Sequence, residues 1–443
     1  MLRLTFSNFH IFLLTIFALV VIPSCSNNNS ISSKSSARVN TVLKLDGARA
    51  EINEINNFGP GKPLLITYGS TLIDSYTKFL PYNQIQVELK GNLNSKRVRI
   101  LLDWVKENYS PSSILTIGMG WNAWLAWMTA TDPDVEGALI YRAWFDASES
   151  LFTAGVTKPA WLEILIEQLS IDEQFSKLLL TAEESGYAGE ALIKESRTFS
   201  PSYLCQAGLR PKNLLVINGM EDTLAGAADG VRLIDCSDNG KLFAPLQIDS
   251  QCDNIFSTEI SLKWINQHLG DGEEYPIEKI CLQVDEENTV KLTDMGIPNK
   301  EFSFNSTLRW RFDDNFKFIP FETFTTPGIV ISQGTFTGTS QILPANANVP
   351  LRVTGFLGLA VKKNGSEAVS FIDDQLTAFR YNDSLNIYQP ISVGLVYPGD
   401  TIGMITSLYD PFETYYKHFP YPGGTVDGKA QYRFIAINSS EAN

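Results

Sequence analysis

Histidine is nearly absent. The 443 residues hold three, His10, His268 and His418, so chemistry that needs a histidine base or a multi-histidine metal site has almost nothing to draw on. Cysteine is scarce, at five, and no Cys-x-x-Cys, His-Glu-x-x-His, Walker or Gly-x-Gly-x-x-Gly pattern occurs, so neither a metal nor a cofactor is expected. Charged residues make up only 19% against 44% hydrophobic. That balance excludes disorder as the dominant state and allows a large core without staples. Positive charge is in deficit, with 35 Lys and Arg against 49 Asp and Glu and a net charge of −14. Such a chain gains nothing from a phosphate backbone, which excludes bulk nucleic-acid binding.

What is present begins with an address. Residues 1–24 read MLRLTFSNFHIFLLTIFALVVIPS. Arg3 precedes an apolar run, Ile11 to Ile22, that is too short to span a bilayer as a stable helix. The run ends in Ile22-Pro23-Ser24-Cys25, and SNNNSISSKSS follows with the composition of a flexible tether. This junction resembles the lipobox of bacterial lipoprotein signal peptides. The resemblance implies cleavage before Cys25, acylation of its sulfur and new amino group, and a membrane as partner. An ordinary secretory signal with an incidental cysteine is the alternative. Ser26 in place of Asp implies, by the enterobacterial sorting rule, the outer membrane, facing the periplasm or the surface. Cleavage removes Arg3 and no acid, so 35 basic residues become 34 and the net charge moves from −14 to −15. Cys205, Cys236, Cys252 and Cys281 remain, enough for two disulfides. Cys236 and Cys252 lie close enough in sequence to pair across neighbouring elements, with free buried thiols as the alternative.

From residue 62 to 270 short apolar runs alternate with helical stretches. The runs are 63–69, 85–89, 114–120, 137–144, 213–219 and the weaker 243–249. Helical period occurs at 95–108, 122–131, 224–234 and 257–269. This alternation predicts an α/β domain with a mostly parallel sheet. Residues 151–209 interrupt it with three helical segments and read as an inserted cap. Residues 25–61 read as tether and lead-in. After the acidic stretch 271–276, residues 271–443 carry short alternating segments between Pro-Gly, Asn-Gly and Gly-Gly turns, which predicts an all-β sandwich, jelly-roll-like.

The order of elements over 62–270 resembles the α/β-hydrolase family. Tyr68-Gly69-Ser70 ends the first strong strand, where the family supplies an oxyanion-hole N–H. The stretch ILTIGMGWNAWLA (114–126) falls where the family has strand, nucleophile elbow and helix. Gly118-Met119-Gly120-Trp121-Asn122 stands in place of Gly-x-Ser-x-Gly, so the nucleophile position is Gly120, which has no side chain. The position two residues later, small in the family, is Asn122. The segment NLLVINGMEDTLA (213–225) puts Asp222 at the family's acid position, although an Asp there is also a common turn or capping residue. The histidine window carries Cys252 or Asp253 near the expected place. His268 stands late in the following helix. Ser70 and Asp146, at carboxyl ends of strands, are the remaining site-lining candidates with Gly69, Trp121, Cys252 and Asp253.

In the β domain, the order after the hydrolase-like part resembles cocaine-esterase-like enzymes and X-prolyl dipeptidyl aminopeptidases. Trp310, Phe312, Phe316, Phe318 and Phe321 form either a sugar- or partner-binding platform or the core face of a strand. Asp313-Asp314 and Asp373-Asp374 lack a full calcium loop. Three functions follow: a cell-envelope lipoprotein with a non-catalytic hydrolase-like domain for binding or assembly, a divergent esterase or peptidase with a relocated nucleophile, or a glycan- or protein-binding module centred on the β domain.

Overall fold

The computed structural model describes residues 40–69, 77, 80–90, 93–147, 152–153, 156–157, 194, 196–197, 200–220, 222, 225–246, 255–270, 278–285, 288–297, 299–309, 316–343, 354–366, 369–371, 377–380, 384–409 and 423–437. The signal segment, Cys25, Ser70, Cys252, Asp253, both acidic pairs of the β domain and nearly all of the expected cap lie outside these residues. Among the described residues no helix is long and apolar enough to cross a membrane.

The first half runs β1 (Asn40–Leu45), β2 (Ala48–Asn56), β3 (Leu64–Tyr68), β4 (Asn83–Lys90), α1 (Ser95–Tyr109), β5 (Ile114–Met119), α2 (Trp121–Thr129) and β6 (Gly137–Tyr141). It continues with the short pair β7 (Phe152–Thr153) and β8 (Val156–Thr157), then α3 (Pro201–Gln206), β9 (Asn213–Ile217), α4 (Ala227–Asp235), β10 (Asn239–Ala244), α5 (Ile255–Leu269), β11 (Ile280–Gln283) and β12 (Thr289–Leu292). Ten strands form one sheet in the order β1-β2-β4-β3-β5-β6-β9-β10-β11-β12. From β4 to β11 neighbouring strands are parallel. Every residue of β3 and β9 is buried, which is why these strands read as unbroken apolar runs. Helix α1 is capped by Asn94, whose side chain accepts from Arg97 N at 3.0 Å. Its buried stripe, Val98, Leu101, Leu102, Val105 and Tyr109, has the 3.6-residue period of a half-buried helix.

The sheet draws strands from both sides of the 62–270 interval. Asp46 and Gly47, both at positive φ (45° and 86°), close β1 and β2 into a two-residue hairpin of the primed type. The Asp-Gly dipeptide is the local signal for it, inside the stretch expected to be lead-in. The strand expected at 243–249 lies instead at Asn239–Ala244. It stops at Pro245, which has no N–H to continue a ladder.

The second half contains β13 (Lys300–Arg309), β14 (Phe316–Thr323), β15 (Gly328–Leu343), β16 (Thr354–Lys362), β17 (Val369–Phe371), β18 (Thr377–Arg380), β19 (Ser384–Val396), β20 (Thr401–Tyr409) and β21 (Gly423–Ala436). They form two antiparallel sheets, β13-β21-β15-β19 and β14-β20-β16-β17, with β18 also on β16. Phe304, Val330, Val396 and Tyr432 of the first sheet share a core with Leu359, Val361, Ile402 and Met404 of the second. Phe321 packs against this core, its ring 3.6 Å from that of Phe302. It is a core residue rather than part of an exposed platform; Trp310 and Phe312 lie outside the described residues. Ile329 and Ile331 of β15 point the other way. With Val393 and Leu395 they join the cluster that holds Val231 and Ile234 of α4. β15 is therefore apolar on both faces, and the sandwich and the large sheet share one hydrophobic cluster.

Cys205 of α3 is disulfide-bonded to Cys236, the residue that closes α4. This corrects the expected pairing of Cys236 with Cys252: Cys236 has its partner 31 residues upstream, brought near by the crossover from β6 through α3 to β9. Cys281 is a buried free thiol whose pKa burial raises. Closing a loop of that length is worth about 2–4 kcal/mol through the unfolded chain. The Cys205→Ala/Cys236→Ala variant is expected to lose that much in urea denaturation, and a reductant should shift the wild type but not the variant.

Candidate functional site

The chain reverses direction of travel across the sheet at β3, which lies between β4 and β5. Such a switch point leaves a crevice at the carboxyl ends of the strands, where α/β sheets bind ligands. Register fixes what stands there. Tyr68 is level with Gly118, Met119 with Tyr141, and Tyr141 with Ile217. The next residues of β5, β6 and β9, Gly120, Arg142 and Asn218, therefore line up along one edge, and Gly69 follows β3 one residue lower, level with Met119. Two backbone bonds extend the ladder to them, Gly120 N to Tyr141 O at 2.9 Å and Arg142 N to Ile217 O at 3.0 Å.

Gly120 is the turn between β5 and α2, with φ 58° and ψ −122°. An L-residue reaches that region only under strain, of order 1–3 kcal/mol, and glycine relieves it. A Cβ built there meets no atom within 4 Å, so the space above the turn is open. Gly118 is different. A Cβ on it would lie 2.1 Å from the carbonyl oxygen of Asn122, because α2 passes directly over the strand. Asn122, large where a small residue was expected, is accommodated by pointing at Gly69. A Cβ on Gly69 would come 2.3 Å from its Nδ2. The amide thus sits against the strand end that the hydrolase resemblance made an oxyanion-hole donor, and Gly69 N itself donates to Val87 O at 3.2 Å. Trp121 opens α2 and packs its ring 5.8 Å from Trp144 and 6.5 Å from Trp124. Tyr68 is wholly buried beneath and shares a 2.6 Å hydrogen bond with Thr129, burial pushing its phenol pKa up.

Asp222 lies two strands away from the elbow, past β9. Its partner is Arg142, whose Nε donates to Oδ2 at 2.6 Å and Nη2 to Oδ1 at 3.2 Å. The Asp222 side chain is only 3% exposed and that of Arg142 31%. A bidentate guanidinium matches a buried carboxylate in both charge and geometry. The carboxylate that the hydrolase resemblance made the triad's acid is thus paired with an arginine. Arg142 has φ 48°, an uncommon conformation for a residue with a side chain. Sequence reasoning missed it. The available signal was a single cation directly after an apolar strand, GALIYR, at the level of the acid position.

The other expected residues disperse. Asp146 is buried and accepts from Ser202 Oγ at 2.6 Å, tying the strand end after β6 to α3. His268 lies near the end of α5, its ring 4.6 Å from that of Trp264. Burial lowers its pKa, and the charges it feels are Glu136 and Lys212. Those residues immediately precede β6 and β9, so His268 belongs to the amino-terminal edge of the sheet, opposite Gly120. Among the described residues no group of three or more His, Cys, Asp or Glu forms a metal site.

The sequence matches no protein-family profile and no curated protein. Solved structures are similar. A CocE/NonD family hydrolase from Staphylococcus aureus is 10% identical, with 90% of this chain and 93% of that one covered and a TM-score of 0.62. The chain has the α/β-hydrolase fold. That coverage takes in the sandwich as well as the sheet, the arrangement implied by the resemblance to cocaine-esterase-like enzymes. A monoglyceride lipase variant from Saccharomyces cerevisiae is also similar, at 10% identity and TM-score 0.35, over 56% of this chain and 99% of its own. An acylaminoacyl peptidase from Pyrococcus horikoshii stands at 9% and 0.38, over 55% and 43%.

Two measurements probe this hydrolase-fold edge. Arg142→Met leaves the Asp222 carboxylate buried without its bidentate partner, and unfolding free energy should fall by about 3–5 kcal/mol; Arg142→Met with Asp222→Leu should recover most of it. Gly120→Ala, which adds strain but no clash, is expected to cost roughly 1–3 kcal/mol. Gly118→Ala must push α2 off β5 and should cost more; equal losses would show that the turn does not set the helix position.

Proposed function

We propose that the protein is a cell-envelope lipoprotein whose hydrolase-fold domain is non-catalytic and serves binding or assembly. The observation that carries the reading is the pairing at the crevice: glycine at the nucleophile turn and an arginine on the acid. A serine hydrolase needs a nucleophile and a base within hydrogen-bond reach of it. Gly120 offers no attacking atom. Asp222, held by Arg142, has its charge satisfied without an imidazole. His268 is at the opposite edge of the sheet. What the fold keeps is open space above the Gly120 turn with Trp121 beside it, a place where a ligand or a partner segment could be held.

The lipobox-like junction at Cys25 supports the anchor, and Ser26 supports an outer-membrane address. With an acidic, tethered body, the natural partners are another envelope protein or a glycan.

One experiment addresses both halves. Cells producing the full chain are labelled with a fatty-acid analogue and, after lysis, with a fluorophosphonate probe. The expected result is lipid label that is lost in Cys25→Ala, with no fluorophosphonate label and no turnover of a panel of acyl esters. Serine labelling abolished by a single serine-to-alanine change would overturn the non-catalytic reading in favour of a relocated nucleophile. Lipid label that persists in Cys25→Ala would overturn the anchor.

A further inference from the structure

Three strands from the elbow, between β2 and α1, a cleft of about 190 Å³ opens beside the β1–β2 hairpin. Its walls include Trp104 and Tyr109, whose rings meet edge to face at 6.0 Å. Glu54 from β2 reaches into it. No lysine, arginine or histidine lines the cleft, and Glu54 makes no ion pair among the described residues.

The hydrogen bonds in the cleft are unevenly used. Tyr109 Oη donates to Glu54 Oε2 at 2.8 Å, and Asn57 Nδ2 donates to the same oxygen at 2.9 Å. Asn108 Nδ2 donates to the carbonyl of Trp104 at 2.7 Å. The phenol therefore has its donor engaged within the wall, and each amide has one of its two N–H donors engaged there. The acceptors Glu54 Oε1, Asn108 Oδ1 and Thr41 Oγ1 are not engaged by any described group. A cleft with acceptors to spare, one carboxylate charge and two aromatic rings is complementary to a cation that donates hydrogen bonds.

We propose that this cleft binds a primary alkylammonium group, with Glu54 as its charge partner, Asn108 and Thr41 as further acceptors, and the Trp104 and Tyr109 rings against its methylenes. A neutral sugar fits the volume but leaves the carboxylate charge without a counterion. A small anion meets the wrong charge. The ligand class is thus an amine: a free polyamine or amino compound, or the lysine side chain of a partner.

The test is titration of the mature chain with n-butylamine at neutral pH, followed by saturation-transfer NMR and calorimetry, with n-butanol and glucose as neutral controls. Binding should be seen for the amine alone and should weaken as salt rises. Glu54→Gln is the informative variant. Tyr109 and Asn57 donate to one oxygen, so the amide carbonyl can keep both bonds while its NH2 faces the cleft. That variant should melt like the wild type and bind the amine at least tenfold more weakly. Trp104→Ala should also weaken binding. Equal binding of butanol or glucose, an unchanged affinity in Glu54→Gln, or no transfer to the amine would each overturn the proposal. The elbow chemistry is untouched by any of these outcomes.

Discussion

The distance between β5 and α2 governs the rest of the crevice. At Gly118 the helix backbone lies 2.1 Å from where a Cβ would stand, so the strand must present glycine there and the chain must turn sharply to bring the helix over it. Gly120 takes the strained dihedrals of that turn, and Asn122, forced close to the strand end, turns its amide onto Gly69. None of these contacts involves a nucleophile. The turn is maintained by packing: Ala123, Trp124, Ala126 and Trp127 of α2 are all buried in the main cluster. A serine at the turn would add strain for the fold to hold; glycine removes that demand and leaves the geometry in place.

Charge at the acid position follows the same logic. A buried carboxylate is costly unless paired, and a catalytic triad pairs it with a histidine. Here Arg142 reaches it from the neighbouring strand end, with a charge that does not depend on pH in the physiological range. The local electrostatics are therefore satisfied by a group that cannot act as a base. His268 is no substitute, since its charged neighbours sit at the other edge of the sheet. The arginine meets the requirement of stability at this site.

Much of this was legible in the sequence. Fully buried parallel strands advertise themselves as apolar runs, so β3, β5, β6 and β9 were readable, as were helices α1, α2, α4 and α5 from their period. That the turn carries a glycine, Gly120, was a matter of reading one position. Other features needed the third dimension. The β1–β2 hairpin had a signal, Asp46-Gly47, but its strands alternate too weakly to stand out beside a tether. Cys205 and Cys236 are joined by a crossover that sequence spacing does not measure. Arg142 and Asp222 are 80 residues apart, and nothing local to either says that they meet. Asn122 was legible as an oddity, while its accommodation by Gly69 depended on the register of β3 with β5.

Helix α4 packs against both the large sheet and the sandwich. Its first turn follows the acid loop, and Asp229 accepts from Phe145 N at 3.0 Å, fixing the segment after Arg142. Gly230 lets it lie against Leu242 of β10, whose side chain a Cβ would meet at 2.5 Å. Val231 and Ile234 share a cluster with Ile329 and Ile331 of β15. Cys236 at its end is tied to α3. One helix thus touches the segment after Arg142, the large sheet, α3 and the sandwich. A displacement of the sandwich must move α4 or expose apolar surface worth about 25 cal/mol per Å².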